Sequence, residues 1–439
     1  MKALFSLILI SLVVSSSTRA QQAAARTMTL DDAIALARQH NPTYQQALND
    51  PESSEAGERI AWARFLPTPT LDFSTNGNSV RSSGPGGTFT NQSSSSGLSV
   101  GLGMTLIDNG SRMSDYRRAK MTTEGTRISL GQQEIDLRST ITSNYFSVVL
   151  ADRAVRLEEV NLEKRIQSYE DTKDRFRIAK ASQIDLIRAE EAVAAARNRV
   201  TAAGDAAHKR RLLLFEQIGT TADLTVQLDS AIPPAVDVKT LDADSLVALA
   251  LRESPVIRGG EISLDRQMLA ARQARQGRWR PNLFLSANYN LSGSREDFNA
   301  LYSPDFPNNA LGLNVGLSYD LPNLVTTSAA VTQSDLQLAD QRFGFRRQQL
   351  LIERQVRSQL VDLLAAARDH ALAQEQAARN REIVSLAEEH LRGGQLGYFQ
   401  YQNYIDVAQN AERAVLDARL QVITSQLALE QTLGVPLRR

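Results

Sequence analysis

Between Ser111 and Phe176 the chain contains no proline, and Ile141, Val148, Val155, Leu162, Tyr169 and Phe176 recur at strict seven-residue spacing. An apolar residue at every seventh position keeps one seam of a helix turned toward a partner, so the spacing predicts coiled-coil packing. At 1.5 Å per residue such a helix is about 100 Å long, which no ordinary globular domain houses. A second helix returns with Leu186, Val193, Val200, Ala207 and Leu214 at the same spacing. The fold is therefore elongated and mainly helical.

The arrangement occurs twice. Shifting the chain against itself by about 211 to 215 residues aligns Leu30 to Ala37 with Leu241 to Ala250, and Asn41-Pro42 with Ser254-Pro255. Each pair reads as a short capped helix followed by a proline restart. Further landmarks repeat: Ala63 to Pro67 answers Arg278 to Pro281, and Gln217-Ile218-Gly219 answers Gln431 to Gly434. Long helices recur from about Ser328 to Leu391 and from Tyr398 to Leu433, with Val415, Val422 and Leu429 in register. The chain thus divides into a first repeat over 21–222, a linker over 223–240 around Ile232-Pro233-Pro234, and a second repeat over 241–439. A period this long makes a tandem pseudo-symmetric pair, not a solenoid.

Four segments break the helical pattern by alternating with period two. They lie near 70–79, 97–107, 282–292 and 310–320. Leu98, Val100, Leu102, Met104 and Leu106 share one face, as do Leu311, Leu313, Val315, Leu317 and Tyr319, while the opposite faces carry Gly, Ser, Thr and Asn, with Asp320 last. Such alternation fits a soluble antiparallel sheet as well as tilted membrane strands. The connections favour the second: 81–96 and 292–309 are polar, Gly-rich or Pro-containing and read as long exposed loops, and the residues of the polar face are small or neutral, as in a wet lumen.

The N-terminus agrees. Met1-Lys2, an apolar run from Ala3 to Val14 and small residues to Ala20 form a secretory signal over 1–20. No other segment approaches the roughly 20 apolar residues of a membrane helix, so insertion must use strands. There is no cysteine for disulfides, thiolate ligands or a lipid anchor. Basic and acidic residues balance at 49 each without a basic patch, which argues against nucleic acid as a partner.

Four strands cannot close a barrel, and an open sheet in lipid leaves unpaired edges. Copies must share one. Two would give a barrel too narrow for a channel, whereas three give twelve strands, so a homotrimer is expected.

The duplication, the Leu30 to Ala37 opening with Asn41-Pro42, the helix ending at Pro67 and the two hairpins set inside coiled-coil helices together resemble the TolC-like outer-membrane efflux proteins. The resemblance spans nearly the whole chain after the signal. It implies a trimer with a twelve-stranded outer-membrane β-barrel on a periplasmic α-helical tunnel, working with a periplasmic adaptor and an inner-membrane pump in tripartite efflux or type I secretion. The duct is then passive, and it opens by untwisting at the periplasmic tip, near Phe176 to Asp185 and Leu391 to Asn403. The family's acidic constriction positions fall on Gln400 and Asn403 here, a neutral substitution, and on Asp185 in the first repeat. Arg188, one turn on, could pair with Asp185 as a latch or as an ordinary helix pair. Ala179, Ser182, Gly393, Gly394 and Gly397 fall at the tip turns that contact the adaptor in the family, and also suit helix capping and restart.

Chemistry is not indicated. His40, His208, His370 and His390 lack metal-ligand spacing, and carboxylate pairs such as Glu158-Glu159 and Glu190-Glu191 lie on polar helix faces. No enzyme activity and no cofactor are expected. The alternatives are a trimeric adhesin, whose strands gather at the C-terminus, and a periplasmic coiled-coil scaffold, which lacks apolar-faced strands.

Overall fold

The computed structural model describes residues 27–85, 87–223, 226–232, 238–277, 281–296, 304–319 and 324–437. The signal segment lies outside these residues, as do Pro233, Pro234, Arg278 to Arg280 and Asp320.

Each repeat begins at a short, locally determined helix. Helix α1 (Leu30–His40) follows β1 (Thr27–Met28) and is capped by Thr29, whose hydroxyl accepts from Asp32 N while Asp32 accepts from Thr29 N. Pro42 then opens α2 (Pro42–Ala63), where its fixed φ and missing N–H cost nothing. The same order recurs in α5 (Ala243–Glu253), capped by Asp242, and α6 (Pro255–Gly277).

The sheet comes next in each repeat: β2 (Thr68–Gly84) and β3 (Gly87–Ile107), then β5 (Asn282–Arg295) and β6 (Asn308–Ser318). All pair antiparallel in the order β2-β3-β5-β6, leaving β2 and β6 as edges. The expected loop over 81–96 is instead largely strand, with pairing continuing to Gly84 opposite Gly87. Its Ser, Thr and Asn residues read as loop by composition, yet rows such as Asn76 opposite Ser95 and Asn78 opposite Ser93 satisfy their backbone in the ladder.

The remaining chain is helical hairpin. Helix α3 (Ser111–Arg177) spans 67 residues and turns into α4 (Gln183–Ile218); α7 (Leu324–Arg392) spans 69 and turns into α8 (Tyr398–Leu433). Helices α3 and α4 pack together, as do α7 and α8, and α3 meets α8, so the four run side by side as α4, α3, α8, α7.

Burial is graded along these helices. Ile141 and Val148 are fully buried, Val155, Leu162 and Tyr169 half-buried, and Phe176 exposed. The heptad stripe is thus an apolar core only at the sheet-proximal end, where two clusters form, one per repeat. The first joins Ile34, Ile141, Tyr145, Val148, Leu214 and Ile218; the second joins Leu246, Val247, Val356, Leu363, Leu429 and Leu433. Neighbouring Ile423 and Val422 of α8 enter one cluster each and tie the repeats together.

Two contacts fix this waist. The Tyr145 hydroxyl lies 2.9 Å from Met28 O and 3.0 Å from Asp229 O, clamping α3 to the parallel pair formed by β1 and β4 (Gln227–Leu228). Burial, then the Asp229 charge, push its pKa up to about 12, so it is a neutral donor. Gly219 and Gly434, both at positive φ, end α4 and α8; a Cβ there would stand 2.3 Å from His40 O and 2.6 Å from Pro255 Cδ. Only glycine allows each repeat to close on its own proline restart.

Candidate functional site

Register separates the sheet into two unlike faces. Leu71, Val100, Tyr289 and Leu311 lie level on one face, with Leu98, Leu102, Leu283, Leu285, Leu291, Leu313, Val315 and Leu317 in neighbouring rows. On β6 these side chains are strongly exposed, Leu311 at 80% and Leu317 at 71%. So continuous an apolar face has no partner within the chain. At one rim Phe306 meets Phe73 edge to face at 6.5 Å, placing aromatics where the apolar band ends. The other face carries Thr70, Ser74, Gly97, Ser99, Asn288, Asn290 and Asn314, with Asp72 among them and Phe284 lying over Gly316.

At the opposite end, the two tip turns differ in how they stop and restart a helix. After α3, Ala179 adopts φ 51°, while Lys180 N donates to Arg175 O at 2.8 Å. Ser182 then caps α4: Asp185 N donates to its hydroxyl at 3.1 Å, and Asp185 Oδ2 accepts from Ser182 N and Oγ at 3.1 and 2.7 Å. After α7, Gly394 takes the left-handed conformation at φ 74°, and Gly393 N donates to Glu389 O at 2.9 Å. Gly397 precedes α8 without a side-chain cap, and its N–H reaches Gln400 Oε1 at 3.4 Å. Asp185 and Gln400 are therefore equivalent third-turn-position partners of the two caps.

This geometry corrects one sequence reading. Asp185 and Arg188 form no ion pair among the described residues, because the carboxylate is committed to the cap and the Arg188 guanidinium lies over the Phe399 ring, 5.3 Å from its centroid. That stacking joins the α4 and α8 starts, so Asp185, Arg188, Gln400 and Asn403 do share one end of the molecule. Asn403 is exposed there.

Between tip and waist, α3 and α8 meet through polar side chains, a feature the sequence reading missed. Glu158, Asn161, Arg165 and Ser168 follow three-four-three spacing on α3 and face Arg413, Gln409, Asp406 and Gln402 on α8. The Arg165 Nη2 to Asp406 Oδ1 distance is 2.8 Å, Arg199 of α4 approaches the same oxygen at 3.5 Å, and Ser168 also donates to the Tyr398 hydroxyl at 3.2 Å. Glu158 pairs with Arg413, and Gln409 donates to Asn161. The Arg165 and Glu158 side chains are only 4% exposed, whereas Asp406 and Arg413 keep 43% and 48%. Burial lowers the Arg165 pKa, opposed by the Asp406 charge. The charges on α3 thus depend on α8 for compensation.

Among the described residues no helix is long and apolar enough to cross a membrane, and there is no cluster of three or more potential metal ligands. A model of the outer membrane efflux protein family matches residues 16–220 and 246–435, nearly the whole chain. The chain belongs to the outer membrane efflux protein family. Solved structures share the fold: CusC, at 16% identity and TM-score 0.75, with 92% of both chains covered; VceC of Vibrio cholerae, at 14% and 0.75, covering 93% of this chain and 97% of that one; and the CmeC channel of Campylobacter jejuni, at 16% and 0.74, covering 92% and 85%. No curated protein matches the sequence.

This efflux protein is a protein of the outer membrane. It is a transport protein of a channel family, not a member of an enzyme family.

Proposed function

We propose that three copies of this efflux protein close one twelve-stranded barrel over a helical tunnel and form the passive exit duct of a tripartite efflux or type I secretion system. The observation that carries this reading is the sheet itself: its lipid-compatible face is continuous, yet β2 and β6 have unpaired edges. Strands alternate in direction across the sheet, so β6 of one copy can pair antiparallel with β2 of the next and remove every edge. The helix flanks, α4 with Leu212 and Leu213 and α7 with Val361, Leu372 and Leu386, then cover one another between copies. In this reading 21–222 and 241–439 are the two repeats, joined by the linker 223–240.

The tip turns meet a periplasmic adaptor bound to an inner-membrane pump, with Ala179, Ser182, Gly393, Gly394 and Gly397 at the contact. Exposed Ile178 and Ile184 flank the first turn and supply apolar area for docking. Asp185, Arg188, Gln400 and Asn403 surround the narrowest point. Nothing in this role needs catalysis, because the pump supplies the energy.

The polar α3–α8 seam holds the tip closed. An apolar seam would resist separation by water, but paired charges and amides exchange readily for hydration once α8 moves. Removing Asp406 leaves Arg165 buried and uncompensated; such losses cost about 3–5 kcal/mol when the pair is fully buried, less here because Asp406 reaches solvent. In planar bilayers wild type should show a small, long-lived conductance and Asp406→Ala a severalfold larger one. Equal conductances would remove the seam from the gate, and absence of current from both would remove the duct.

A further inference from the structure

One carboxylate stands apart on the polar face of the sheet. Along β2 this face presents Thr68, Thr70, Asp72, Ser74 and Asn76; along β3, Ser95, Gly97, Ser99, Gly101 and Gly103; along β5, Ser286, Asn288 and Asn290; along β6, Ala310, Gly312 and Asn314. Among the described residues of the four strands, Asp72 is the one charged side chain on that face. It is exposed, its row is Asp72, Ser99, Asn290 and Ala310, and no Lys or Arg lies within ion-pair distance among the described residues. The adjacent row on the lipid face is Leu71, Val100, Tyr289 and Leu311, so Asp72 sits at the depth of the apolar band and not at a rim.

We propose that Asp72 sets the ion and solute charge preference of the barrel, making its lumen favour cations over anions. The inference rests on the three-copy barrel above, in which three Asp72 carboxylates encircle an otherwise neutral lumen. A low-dielectric wall around an aqueous passage focuses the field of such charges along its axis instead of letting it disperse. Neutral Asn, Ser and Thr groups solvate a passing ion of either sign and give no preference of their own. At the tip Gln400 and Asn403 are neutral, and Asp185 and Arg188 carry opposite charges that offset one another there.

The test is the reversal potential across a bilayer under a KCl gradient, measured for wild type and in the Asp406→Ala background, where a wider tip leaves the barrel a larger share of the resistance. Screening makes low salt decisive, since the Debye length is about 30 Å at 0.01 M and about 3 Å at 1 M. The cation preference should fall in Asp72→Asn, reverse in Asp72→Lys, persist in Asp72→Glu and weaken for all at high salt. Asn290→Asp, in the same row, should restore it to Asp72→Asn, which a purely structural role for Asp72 would not allow. Normal conductance with an unchanged reversal potential in Asp72→Asn and Asp72→Lys, in both backgrounds, would overturn the proposal while leaving the duct intact. Loss of all current in every protein would instead strike the duct.

Discussion

His370, half-buried on α7, shows how a single residue can couple this protein to its surroundings. Burial lowers its pKa, and the Arg419 charge on α8 lowers it further. The folded protein therefore favours the neutral imidazole more than the unfolded chain does. Its contribution to stability is fully present above the ordinary histidine value of about 6.5 and is lost as pH falls below it. The thermal unfolding temperature should consequently fall on acidification through that range, and His370→Gln should flatten this part of the profile. An unchanged profile in the variant would show that His370 carries none of the effect. Residue-scale roles were only partly legible in the sequence. The Ser182–Asp185 spacing is that of a helix cap, and the structure uses it so, leaving no latch with Arg188. Arg188 stacking on Phe399 joins residues far apart in the chain, which periodicity cannot reveal.

Elements were the most legible scale where hydrophobic patterning governs them. The long helices and the alternating strands follow directly from seven-residue and two-residue periods. The seam did not, because Glu158, Asn161, Arg165 and Ser168 keep heptad-like spacing in polar residues, and a search for apolar heptads passes over them. The extended part of β2 and β3 was missed for a related reason: its Ser-rich composition imitates a loop, while cross-strand pairing decides its conformation. The seam makes a further prediction. If Asp406→Ala loosens the tip by stranding a buried cation, then Arg165→Met combined with Asp406→Leu should return the conductance toward wild type, since an apolar pair of similar bulk avoids the desolvation cost. A double variant that conducts as freely as Asp406→Ala would mean that Asp406 acts through Arg199 instead.

At the scale of the whole molecule, the two repeats divide the work by height. Apolar clusters, glycine stops and the Tyr145 clamp pack the waist, polar contacts join the lower helices, and the sheet has one apolar and one polar face, which in the proposed duct meet lipid and water. Duplication was visible from the sequence because both repeats preserve their caps and prolines. The closure of the sheet was inferred from strand count, since one copy necessarily ends in two open edges. Everything proposed for the duct depends on how those edges are paired. Native mass spectrometry of the protein released intact from detergent tests this directly. The account predicts a complex of three chains, stable when diluted; a monomer in detergents that preserve membrane insertion would contradict it.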